Sequence, residues 1–137
     1  MQRILDRLYL SSLSEANDPF FLKQHRIQAI LYFGSGGMFG DDIKLYYRPA
    51  NKDGSLGKEH LRDGVDFLRE SLLAGRRVLA VGASGATIVG AYLAEMGFSS
   101  PEAMRLINQV TGLKADEGRL SEHAQDLEKR AMQTLHK

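Results

Sequence analysis

Residues 82–87, Gly-Ala-Ser-Gly-Ala-Thr, carry the clearest chemical signal in the chain. The short apolar run "RVLAV" precedes them and the helix-forming "ATIVGAYLAEM" continues from them. A strand, a tight glycine turn and a helix in that order aim unpaired backbone N–H groups at an anion. Gly82, Ala83, Ser84, Gly85, Ala86 and Thr87 are therefore candidates for holding a phosphate or sulfate. The hydroxyls of Ser84 and Thr87 either donate to that anion or cap a helix starting near Gly85, capping being the commoner role. The turn contains no cysteine, arginine, lysine or histidine. Arg76 and Arg77 sit at the far end of the strand, out of reach of the turn. Asp53 is either an acid of a site or an ordinary turn aspartate in Asp-Gly.

Two chemistries that use such a turn ask for more than the chain offers. In a dinucleotide-binding Gly-x-x-Gly-x-x-Gly turn, Gly82 and Gly85 fit, but Ile88 occupies the third glycine position. That turn also opens a nucleotide-binding sheet, which the residues after 82 are too few to complete. In a hydrolase nucleophile elbow, Ser84 would be the nucleophile, with Asp116 or Asp126 and His123 or His136 as its partners. That fold needs a larger sheet than 137 residues supply, and these partners lie on a solvated helix.

Composition narrows the rest. A chain of 137 residues with 43% hydrophobic and 26% charged residues is long enough for one domain, 1–137, with a real core. The formal net charge of +1 gives no reason to expect nucleic acid or a membrane surface as a partner. Zero cysteines exclude disulfides, thiolate metal sites and a cysteine nucleophile. His25, His60, His123 and His136 lack metal-ligand spacing and read as exposed surface residues, so no metal or cofactor is expected. Without a signal peptide or a membrane-length apolar run, the default location is cytoplasmic.

The elements that must position the turn follow from periodicity and punctuation. "RILDRLYLSS" predicts one or two strands, and "SEANDPFFLKQH" one short helix capped by Asn17 or Asp18 with Pro19 first. "IQAILYF" (27–33) and "IKLYYRPA" (43–50) predict strands. Leu61, Val65, Leu68, Leu72 and Leu73 mark an amphipathic helix over 58–74 that Gly75 stops. Ser100 as cap and Pro101 at the first position start another helix, and 116–135 predicts a polar C-terminal one. Strands alternating with helices, then a helical C-terminal third, imply an α/β fold. Its small mixed, mainly parallel sheet would be covered by helices on both faces, with "VLAV" at its centre.

Six segments in order resemble the dual-specificity branch of the protein tyrosine phosphatase family. "RILDRLYLSSLSEAN", "IQAILYF", "LYYRPANKD", "LRDGVDFLRESLLAGRRVLAV", "AYLAEMGFSSPEAMRLINQV" and "DEGRLSEHAQDLEK" cover most of the chain. Active members of that family carry His-Cys-x-x-Gly-x-x-Arg-Ser/Thr, in which a thiolate attacks phosphorus and the arginine grips two phosphate oxygens. The resemblance places Val81 at the histidine, Gly82 at the cysteine and Asp53 at the general acid. After Gly85, "ATIVGAYL" resembles the family's following helix joined about one helical turn too early. The stretch that would carry the arginine is missing.

The resemblance thus implies a pseudophosphatase that binds a protein partner or a weakly held anion. An active phosphatase or other hydrolase with a rearranged site on Asp53 and Ser84 is the alternative.

Overall fold

The structure, a computed structural model, describes residues 2–33, 44–48 and 58–111, together with Leu120, Gln125 and Lys129. Its sheet has five strands, β1 (Gln2–Leu5), β2 (Leu8–Ser11), β3 (Ala29–Phe33), β4 (Lys44–Arg48) and β5 (Val78–Val81). They lie in the order β1-β2-β5-β3-β4, with β1 antiparallel to β2 and every other pairing parallel. The helices are α1 (Leu13–Ala16), α2 (Pro19–Gln24), α3 (Lys58–Leu73), α4 (Gly82–Glu95) and α5 (Ser100–Thr111). This is the mixed, mainly parallel α/β architecture that the sequence predicts.

Strand β5 is the centre of the sheet, flanked by β2 and β3, and all four of its residues are buried. Successive side chains on a strand point to opposite faces, and the core divides accordingly. Val78 and Ala80 join Leu8, Leu10, Ala29 and Leu31 in the cluster under α3, α4 and α5. Leu79 and Val81 join Tyr9, Ile30 and Tyr32 in a smaller cluster covered by Ala16 of α1 and Leu22 of α2. A strand buried on both faces has no polar side to show, which explains the unbroken apolar "VLAV".

Helix α4 runs between α3 and α5, which accounts for its apolar sequence nearly all round. Close approach is bought with glycine. A Cβ at Gly64 of α3 would lie 2.6 Å from Ile88 Cδ1, and one at Gly90 would lie 2.9 Å from Leu120 Cδ2. Arg69 of α3 hydrogen-bonds Glu95 at the end of α4 and, at 2.9 Å, Asp66 of its own helix. Bonding to Glu95, then to Asp66, raises its pKa above the ordinary guanidinium value against an opposing cost of burial.

Several boundaries differ from the sequence reading. The opening, expected as one or two strands, is two. The segment 14–25 holds a second short helix, α1, before α2. Helix α2 itself starts as expected, with Pro19 first and Asp18 as its cap accepting the Phe20 N–H at 2.9 Å. Helix α5 is capped by Ser99 rather than Ser100, because Ser99 Oγ accepts the Glu102 N–H at 3.2 Å. That is the Ser-x-x-Glu spacing of a capping box. His25 and His60 are half-buried rather than exposed, His25 being packed between Tyr9 and Phe21. His123 and His136 lie outside the described residues. Of the C-terminal helix over 116–135, only Leu120, Gln125 and Lys129 are described, each helical.

Candidate functional site

The turn over 82–87 takes a different form from the one expected. Val81 is still extended at φ −119° and ψ 129°, and Gly82 already belongs to α4. The change of direction is made by Gly82 alone, at φ 73°, a left-handed conformation that glycine reaches without steric cost. No open loop separates strand from helix. The helix also begins without a side-chain cap, its N-cap being Val81, so neither Ser84 nor Thr87 caps it. Both hydroxyls lie too far into the helix, because a capping side chain must stand before the first helical residue.

This geometry divides the six candidate residues in two. Within an α-helix, only the first few N–H groups lack an intrahelical acceptor. Those of Gly82, Ala83 and Ser84 fall in that class. From Gly85 onward each N–H faces the carbonyl four residues before it. Exposure follows the same division, with Ala83 exposed, Gly82 and Ser84 half-buried, and Gly85, Ala86 and Thr87 buried. Thr87 Oγ1 donates to the Ala83 carbonyl at 3.0 Å, a back-bond along the helix rather than a contact outward. Gly85 rests on the strand below it, where a Cβ would lie 2.9 Å from the Ala80 carbonyl carbon.

What remains at the surface is the end of one helix with three free donors and its partial positive charge. Among the described residues, no cationic side chain belongs to it. Arg77 stands at the opposite end of β5, its guanidinium donating to the Tyr9 hydroxyl at 3.1 Å. Asp53 and the remaining partners of a Ser84 triad (Asp116, Asp126, His123 and His136) lie outside the described residues. Among the described residues, no group of histidine, aspartate or glutamate side chains is arranged to hold a metal. Among them, too, no helix is long and apolar enough to cross a membrane.

Solved structures give this arrangement its context. Human DUSP28 superposes with a TM-score of 0.83 at 15% identity, over 95% of this chain and 99% of its own. The human tyrosine phosphatase-like serine/threonine/tyrosine-interacting protein does so at 0.79 and 20% identity, over 96% and 97%. A leucine-rich repeat and phosphatase domain containing protein from Entamoeba histolytica does so at 0.75 and 17% identity, over 94% and 93%. No family model and no curated protein matches the sequence. The chain has the dual-specificity phosphatase fold across nearly its whole length, and it has it without a single cysteine.

Two features of the described surface carried no clear sequence signal. Arg7 and Arg26 adopt left-handed backbone conformations, at φ 65° and 55°. Such positions ordinarily favour glycine or asparagine, so nothing in the residue types pointed to them. The Ser99 cap, by contrast, was legible from Glu102 three residues on.

Proposed function

We propose that this chain is a catalytically inactive protein of the phosphatase fold that acts by binding. The observation that carries the reading is the direct passage from β5 into α4 at Gly82 in a chain with no cysteine. A phosphatase of this fold needs a thiolate held in a ring of converging N–H groups and an arginine across from it. Here no thiolate can form. The segment that would form the ring is folded into the first turn of a helix. Losing one preorganised charge stabiliser lowers a rate by about 10²–10³, and the covalent nucleophile is absent as well.

The bound species is a protein partner or a phosphate-type anion held at the N–H groups of Gly82, Ala83 and Ser84. A solved neighbour of the same fold is named as a phosphatase-like interacting protein, which supports the first. Three helix-end donors without a guanidinium support only weak anion binding, around millimolar. The deciding experiment is hydrolysis of an aryl phosphate by the purified protein. We expect no turnover above the buffer blank. Turnover abolished by Ser84→Ala would instead establish a rearranged hydrolase site.

A further inference from the structure

At the opposite end of the sheet from Gly82, the structure gathers arginines. The Arg7 carbonyl accepts the Val78 N–H at 2.8 Å, and the Arg77 carbonyl accepts those of Gln28 and Ala29 at 2.9 and 3.1 Å. Arg7, Arg77 and Gln28 therefore stand side by side at the starts of β2, β5 and β3, with Arg76 and Arg26 close beside them in the chain. Adjacent strands are about 4.8 Å apart, so this row spans roughly 10 Å. Asp6 stands 3.9 Å from Arg7, and Glu70 is exposed a turn before the end of α3. Among the described residues, no carboxylate pairs with Arg26, Arg76 or Arg77. The concentration is local, because the whole chain carries a formal charge of only +1.

Backbone strain coincides with this charge. Helices α3 and α4 end on left-handed Gly75 and Gly97, each followed by the same pair of closing hydrogen bonds. Helix α2 ends in the same way, with Ile27 N–H donating to the Leu22 carbonyl at 3.0 Å, but its left-handed residue is Arg26. Strained residues persist where their side chains have a use. Arg7, also left-handed, has its guanidinium beside Gly75 at the end of α3. Arg77 is oriented by Tyr9, whose ring meets His25 at 5.8 Å, and His25 in turn stacks on Phe21 at 6.5 Å. Phe21 and the neighbouring Phe20 are exposed.

We propose that the starts of β2, β5 and β3, with Arg26, Arg76, Arg77 and the Phe20–Phe21 edge of α2, form a docking surface for an acidic, partly apolar segment of a partner protein. It rests on the reading of the chain as a binding protein and names where the partner sits. The strand starts from Arg7 to Gln28 span roughly 10 Å, more than one phosphate covers. In an extended peptide, alternate side chains recur about every 6.6 Å on one face, which lets successive carboxylates meet successive arginines. The exposed phenylalanines offer an apolar contact alongside. A net charge of +1 supplies no long-range attraction for a nucleic acid.

The test is fluorescence anisotropy at low salt with a labelled peptide of alternating glutamate and leucine, against full-length wild type and variants. Arg26→Gly removes the charge while relieving the strained backbone, so a fold defect cannot explain a loss. We expect it to weaken binding about two- to fivefold while raising the melting temperature, with Arg26→Lys keeping most of the affinity. Adding Arg76→Gln and Arg77→Gln should bring the loss to about tenfold or more. Arg105→Gln, on α5, should leave affinity within about twofold. The proposal is overturned if wild type does not bind the peptide, or if Arg105→Gln loses as much as Arg26→Gly. Tighter binding of a single-stranded oligonucleotide of equal charge also overturns it. Aryl phosphate turnover, measured separately, bears on the inactive reading alone.

Discussion

Replacing Gly85 by alanine tests whether residues 82–85 form the first turn of a helix rather than an open loop. The added Cβ would stand 2.9 Å from the Ala80 carbonyl carbon, 3.2 Å from Ala80 Cβ and 3.4 Å from Ala80 Cα. Comfortable carbon contacts begin at about 3.5 Å, so the nearest is short by roughly 0.6 Å. Ala80 cannot retreat easily, because β5 is hydrogen-bonded between β2 and β3 and buried on both faces. Overpacking of this kind costs about 1–3 kcal/mol. Alanine's better helix propensity returns about 1 kcal/mol. With backbone as the obstacle the upper part of the range applies, and we expect a net loss of about 1–2 kcal/mol. For a domain of this size that is a fall of roughly 3–10 °C in melting temperature. Urea unfolding should show a lower midpoint at unchanged slope. Gly82→Ala is the companion, since its Cβ would meet nothing within 4 Å and only its φ of 73° is unfavourable. It should cost about 1 kcal/mol. An unchanged or higher melting temperature for Gly85→Ala would refute the reasoning, because a glycine in an open anion-binding loop has room for a methyl group.

Gly82→Cys alone should remain inactive toward aryl phosphates, since among the described residues no guanidinium and no ring of N–H groups would surround the thiol. Activity should appear only when 82–85 is replaced by a full-length loop carrying both cysteine and arginine, with Asp53 retained; turnover by the single variant would overturn this. Titration with inorganic phosphate should move the amide resonances of Gly82, Ala83 and Ser84 with a Kd around millimolar. Those of Ala86 and Thr87, engaged inside the helix, should move less, and a micromolar Kd would reveal a cation delivered from elsewhere. Arg69→Ala should lower stability by roughly 0.5–1 kcal/mol, a value discounted because the side chain is 41% exposed. A loss of several kcal/mol in urea unfolding would mean that the link from α3 to α4 is far stronger than a part-exposed pair permits.

The sequence by itself determined the class of fold and the absence of a cysteine nucleophile. Unbroken apolar "VLAV" required a strand covered on both sides, and helical spacing of leucines between 61 and 73 required a helix laid on a sheet. The missing cysteine is a fact of composition that no folding could alter. Tertiary structure decided what became of the glycine segment. Residue types suited both a phosphate-holding turn and a helix start, since both use small residues and free N–H groups. The choice falls to packing. Gly85 seats against Ala80, and Ala86, Ile88 and Val89 are fully buried in the cluster beneath α4. That burial favours carrying the helix back to Gly82 over leaving a loop. The arginines at the other end of the sheet were equally hidden in the sequence. Arg7, Arg26, Arg76 and Arg77 come from three separate stretches of chain, and only the parallel pairing of β2, β5 and β3 brings them to one edge.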